Sequence, residues 1–179
     1  FRSVCPGNDE GEVAEAMTDT FHALGGGPAF EPIVGAGPNG TVLHYGANNR
    51  IIQDGELVVI DYAAAVEGYA SDVTRTLPAG GKFSPEQREL YQVVLEANLA
   101  AITAARPGVT FTQVHEAARG VIAAAGYEDD FCMGSAITWG WTCTIPPRTA
   151  RWPQAWSSPS SRVFIFPNEA WGSGSRTTS

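Results

Sequence analysis

The sequence predicts an α+β fold made of two related halves, the second of them incomplete. Three observations point to it: three separately capped helix starts, a Gly- and Pro-rich tract of β-branched residues between the first two, and a repeat at an offset of 101 residues. The caps are capping boxes, in which a side chain at the cap and another three residues on satisfy otherwise orphaned backbone donors. They pair Asp9 with Glu12, Ser84 with Gln87, and Thr110 with Gln113. Pro85 suits the first helical position of the second helix, whose stripe Leu90, Val94, Leu95, Leu99 and Ile102 runs to a stop at Arg106-Pro107-Gly108. Between Pro28 and Pro78 the residues read as strands, with turns at Gly35-Ala36-Gly37-Pro38-Asn39-Gly40 and at Asp54-Gly55.

In the repeat, Pro6-Gly7 recurs as Pro107-Gly108, Val13 as Val114, Glu15-Ala16 as Glu116-Ala117 and Gly25 as Gly126. Both copies frame a capped helix, which is what a duplicated α+β unit would do. The first copy continues into strands, so the second is expected to continue past Gly126 into strands of matching chemistry.

The 179 residues are enough for one domain with a sizeable core, and 44% apolar content is ordinary for a globular protein. A net charge of −8 argues against nucleic acid or an anionic membrane as a partner. The run Phe1-Arg2-Ser3-Val4 reads as neither a signal peptide nor a natural start, so a fragment lacking its N-terminus is expected. Three cysteines, Cys5, Cys132 and Cys143, lack zinc-finger spacing and form an odd set, which favours a reducing, cytoplasmic setting. Composition breaks near residue 131. Residues 1–130 carry 18 acidic and 7 basic side chains, whereas the remainder carries one and four and holds all five tryptophans.

Asp61 and Asp72 are the candidate site. Leu57–Asp61 and Tyr69–Thr74 read as antiparallel strands about a turn near Val66-Glu67, and that register sets Asp61 opposite Asp72. Directly opposed residues lie about 4.5–5.5 Å apart at Cβ, where two carboxylates require a cation or a shared proton. A divalent metal is the simplest such cation. His22 and His115 fall in helical stretches and Glu169 in an irregular tail, where each reads as a solvated side chain. Gly25-Gly26-Gly27 lacks the spacing of a phosphate-binding loop.

The runs Ile33–Asn39, Val42-Leu43-His44-Tyr45, Asp54–Asp61, Gly68–Pro78 and Gly81–Ser84 closely resemble the Xaa-Pro aminopeptidase and prolidase family over about residues 1–130. The resemblance implies a pita-bread (creatinase/aminopeptidase-like) fold of two pseudosymmetric α+β halves. It also implies two divalent metal ions, manganese, cobalt or zinc, held by two Asp, one His and two Glu, and a proline-containing peptide as substrate. By motif, Asp61 and Asp72 match the two Asp ligands and His44 matches the active-site histidine, a substrate and transition-state contact. A homo-oligomer is left open.

After Asp130 the family's His-Gly-x-x-His segment and its two later Glu motifs are absent. Joining the last base of each codon to the first two of the next, from Cys132 onward, gives a frame that permits them. Met133 with Gly134 then encodes Gly, Trp139 with Gly140 encodes Gly, and Trp141 with Thr142 encodes Asp. The remaining junctions permit the missing histidine segment, with the ligand His across Ala136/Ile137 and the two Glu across Ser160/Ser161 and Ser175/Arg176. Residues from about 131 are therefore expected to be a frameshifted, poorly ordered tail of the same domain.

Two Asp alone should bind metal weakly, because affinity needs several deprotonated ligands held in geometry. The chain as written is expected to be a defective metallopeptidase. The alternatives are a noncatalytic peptide-binding pseudoenzyme of the same fold and a creatinase-like, metal-free hydrolase, the latter disfavoured by the presence of both Asp. Resequencing the gene is expected to show a frame change near codon 131, and an uninterrupted frame through codon 179 refutes it.

Overall fold

A computed structural model of the chain describes residues 3–131. The shifted-frame reading falls on residues 132–179, outside the described residues. The chain divides into two compact units, Phe1–Glu89 and Leu90–Ser179.

The first unit opens with helix α1 (Glu10–Ala23). Its N-cap Asp9 accepts from the Gly11 amide at 2.7 Å, and Glu12 returns a bond to the Asp9 amide at 3.1 Å. A cap of this kind is worth about 1 kcal/mol. The helix ends where the Gly26 amide reaches back to the Phe21 carbonyl at 2.9 Å, across Gly25 at φ 80°. That is the six-to-one bond of a Schellman stop, which needs a left-handed residue.

Six short strands follow: β1 (Gly27–Pro28), β2 (Ile33–Ala36), β3 (Leu57–Tyr62), β4 (Ala64–Val66), β5 (Tyr69–Ala70) and β6 (Val73–Pro78). They form two antiparallel three-stranded sheets, β2-β3-β6 and β1-β4-β5. The chain crosses between sheets at buried Ala63 and returns through Ser71-Asp72, so β3–β4 and β5–β6 are the two arms of one bent hairpin. Alternation sorts the faces. Val58 and Ile60 are fully buried with Val34 and Ala36 of β2, Val13 and Ala14 of α1, and Ile52. Asp61 therefore lies on the face turned away from this core. The expected turn over residues 35–40 begins later than read, since Gly35 and Ala36 belong to β2 and a 3-10 turn spans Gly37–Thr41.

The register of the hairpin corrects one expectation. Asp61 pairs with Thr74, not Asp72, and Val66 pairs with Tyr69. The turn is Glu67-Gly68, at φ 51° and 84°, one residue later than the sequence suggested. A two-residue turn whose central pair both have positive φ matches strand twist, and β-branched Val66 resists that region where Gly68 does not. The shift moves the pairing by two positions, so Asp72 remains on the Asp61 face, as its diagonal neighbour.

The second unit contains most of helix α2 (Pro85–Ala104) and all of helix α3 (Phe111–Ala124). The α2 box is present, with the Gln87 amide donating to Ser84 Oγ at 3.2 Å and the Ser84 amide to Gln87 Oε1 at 2.9 Å. The α3 box is present at Thr110 and Gln113. The repeat is visible in the backbone. Both α1 and α3 have 14 residues, Gly7 and Gly108 sit at φ 95° and 88°, and the Tyr127 amide bonds the Ile122 carbonyl across Gly126 just as Gly26 does Phe21. The α2 stripe is a difference. Leu90, Val94, Leu99 and Ile102 are exposed, and the packed face is Val93, Ala97 and Ala101 against Ala118, Val121 and Ile122 of α3. Small residues permit close approach of two backbones, which selects the alanine face.

Gly37 sits at φ 52° with the Glu56 carboxylate where a Cβ would go, whereas Gly55 at φ 77° faces open space. Alanine at either position meets the left-handed penalty of about 1–2 kcal/mol. Urea unfolding is expected to show a larger loss for Gly37→Ala, because Glu56 must also be displaced from Arg50. Equal losses would contradict this account of the loop.

Candidate metal centre

Asp61 and Asp72 enter the site from the two arms of the hairpin. Thr74, opposite Asp61, donates its Oγ1 hydrogen to Asp61 Oδ1 at 2.9 Å and orients that carboxylate. Burial pushes the Asp72 carboxyl above its ordinary range, and the charge of Asp61 and a hydrogen bond with it push the same way. The two groups therefore share a proton or need a cation between them. Their half-buried setting strengthens that need. Hard carboxylate oxygens suit divalent ions, so the pair fits two of the ligands of a metal centre. Among the described residues no third His, Cys, Asp or Glu joins them in a group able to hold a metal.

His44 occupies a turn. It lies in the stretch after the 3-10 turn, exposed, at φ 52°. Non-glycine residues pay roughly 1–3 kcal/mol for such backbone, so the surroundings must impose it. Those surroundings converge on Glu10, which is fully buried in the first turn of α1. Glu10 Oε1 accepts from the Ala36 amide at 2.7 Å and from Asn39 Nδ2 at 3.1 Å. Its Oε2 accepts from the Tyr45 hydroxyl at 2.8 Å and the Arg50 amide at 3.1 Å. Burial first, and then its bond to Glu10, raises the Tyr45 hydroxyl's pKa. Arg50 itself forms a bidentate pair with Glu56, both contacts at 2.6 Å, which holds the Glu56 carboxyl below its usual range. Such forked pairs fix orientation as well as charge. Asn48 closes the loop by accepting from the Val34 amide at 2.9 Å and donating to the Pro32 carbonyl at 2.7 Å.

The fold thus brings Asp61 and Asp72 together and puts His44 on a separate, clamped loop. His22 lies exposed in α1, and His115 of α3 stacks on Phe131 with ring centroids 5.3 Å apart. Glu169 is outside the described residues. Sequence reasoning missed Thr74 and Glu10. Strand alternation could have found Thr74, two residues from Asp72 on the same face. No local signal could have found Glu10, whose partners are 26 to 40 residues away.

Metallopeptidase family M24 matches residues 1–146, about sixteen residues further than the motifs alone reach. The chain is 37% identical over 133 residues to the Xaa-Pro dipeptidase of Pyrococcus horikoshii, covering 73% of this chain and 37% of that protein. It is 45% identical over 87 residues to the Xaa-Pro aminopeptidase of Escherichia coli, covering 49% of this chain and 20% of that protein. Among solved structures it resembles the prolidase from Pyrococcus furiosus, with a TM-score of 0.69 and 38% identity over 72% of this chain and 38% of that one. The chain spans well under half the length of these relatives. No helix among the described residues is long and apolar enough to cross a membrane. With its mixed helices and sheets matching the pita-bread fold of those structures, and with the Xaa-Pro peptidases as its relatives, the chain belongs to metallopeptidase family M24.

Proposed function

We propose that residues 1–130 are part of a metal-dependent aminopeptidase or dipeptidase domain that cleaves the peptide bond preceding proline. Asp61 and Asp72 are its two Asp ligands and His44 is its substrate contact. The observation that carries this reading is the pair of touching carboxylates on the core-averted face of the sheet, in a state that only a proton or a cation relieves. The relatives named Xaa-Pro dipeptidase and Xaa-Pro aminopeptidase supply the substrate class.

The chain's own residues perform three tasks in this scheme. Asp61 and Asp72 would hold the divalent metal, manganese, cobalt or zinc, and Thr74 fixes the Asp61 carboxylate by its hydrogen bond. The metal, when bound, lowers the pKa of a water and polarises the scissile carbonyl. An exposed His44 can then donate a hydrogen bond to the oxygen on which charge develops. Residues 132–179 contain no histidine and one acidic residue, Glu169. This favours weak, partial metal binding and no turnover by the chain as written, with the frame-restored protein as the working cytoplasmic enzyme. It also leaves a second reading, a peptide-binding protein of the same fold that does not hydrolyse.

Manganese titration by calorimetry is expected to show weak binding by the full chain and none by Asp61→Asn or Asp72→Asn. Unchanged binding by both variants would remove the pair as ligands. Because the folded pKa of Asp72 is raised, its contribution to stability is present below its unfolded value and is lost as pH rises through the folded one. Metal-free chain should accordingly lose stability over that interval, manganese should restore it, and Asp72→Asn should abolish the dependence. Urea midpoints against pH, with and without metal, measure all three.

Expressing this chain beside its frame-restored version separates the functional readings. Only the restored protein is expected to cleave an Xaa-Pro peptide with manganese. Hydrolysis by the unaltered chain, with two tightly held ions, would sink the proposal, and peptide binding without hydrolysis by both proteins would favour the noncatalytic reading.

A further inference from the structure

We propose that Glu10 is a positioning residue for His44. The inference rests on the reading of His44 as a substrate contact, and it concerns how that histidine is held rather than what it does. Residues 37–50 form one long excursion between β2 and the segment that returns to α1, and His44 lies midway along it. One carboxylate meets this excursion at four points. It takes the Ala36 amide at the entry, Asn39 Nδ2 in the 3-10 turn, the Tyr45 hydroxyl beside His44, and the Arg50 amide at the exit. Asn39 Nδ2 also donates to the Tyr45 oxygen at 2.8 Å, so the entry turn and the His44 turn are tied to each other as well as to Glu10.

Every group that meets Glu10 in this way is a donor. An ionised carboxylate is acceptor-only and can satisfy all of them, whereas a glutamine of the same size brings two donor hydrogens to a site where the Tyr45 oxygen already accepts from Asn39. Glu10 has no exposure to water that could relieve such a mismatch. The position is therefore selective for charge as well as for shape. The left-handed backbone of His44 is adjacent to the Tyr45 anchor, so loss of the carboxylate should release that backbone first. The sheet is held independently by the pairing of β3 with both β2 and β6 and by the buried cluster of Val34, Val58 and Ile60, and should survive.

The test is nuclear magnetic resonance of the full 179-residue chain, comparing wild type with Glu10→Gln and Tyr45→Phe. Wild-type Leu43, His44 and Tyr45 are expected to show backbone order near the rigid value of about 0.85, and Glu10→Gln should drop them below about 0.6. The His44 imidazole signals should move at the same time to those of an unconstrained histidine, while the Val58 and Ile60 amides of the central strand keep their positions. Tyr45→Phe should act in the same direction and less strongly. A merely structural Glu10 would shift the core amides together with the loop. Where Glu10→Gln fails to fold, Tyr45→Phe decides alone. Wild-type order already below about 0.6, core amides that move with the loop, or an unmoved His44 signal in whichever variants fold, overturns the proposal. Manganese titration of the same samples reads Asp61 and Asp72 separately, so a failure of the metal reading leaves this result standing, and the reverse.

Discussion

A carboxylate with no exposure to water, surrounded by hydrogen-bond donors, is the constraint around which the first unit is arranged. Glu10 sits in the first turn of α1, where the helix dipole already favours negative charge, and its oxygens reach the end of β2 and the returning loop. A hydrogen bond to a charged group contributes about 1.5–3 kcal/mol, and a buried donor left unmatched costs about as much as it would have given. Several donors depend on this one acid, so helix, strand and loop are obliged to adopt their positions together. The Arg50 amide and side chain extend the arrangement, because the guanidinium pairs with Glu56 while its backbone is held by Glu10.

The face that carries Asp61 and Asp72 obeys a different rule. Its position follows from strand alternation, which buries Val58 and Ile60 and thereby turns Asp61 outward, and from the turn chemistry that sets which residue of β6 lies across from it. Like charges on one face destabilise a sheet unless something offsets them. Here Thr74 satisfies one oxygen of Asp61, and Asp72 holds its proton more tightly than usual.

Duplication shows in local backbone as well as in residue identity. Helices α1 and α3 share cap type, length, left-handed glycines and the bond that ends them. Yet the buried side chains differ: α1 buries Glu10, while the equivalent first position of α3 is the buried Phe111. The same frame thus serves a polar clamp in one copy and an apolar contact in the other.

Much of this was legible in the amino-acid order. Capping boxes, the Gly25 and Gly126 stops, the helix over Pro85–Ala104 and the outward face of Asp61 and Asp72 all rest on interactions within a few residues or on a two-residue period, which a linear reading can see. The hairpin register was missed by one turn position, since either Val66-Glu67 or Glu67-Gly68 could have been the tip on length alone. The α2 packing face was missed because a stripe of large residues carries the stronger hydrophobic pattern, while the alanine face wins through close backbone approach. Glu10 and the conformation of His44 were decided by tertiary structure alone, because each depends on groups that only folding brings within about 3 Å of one another. Local order in the chain determined which elements form, and contacts at long separation decided how the acids and the histidine are held.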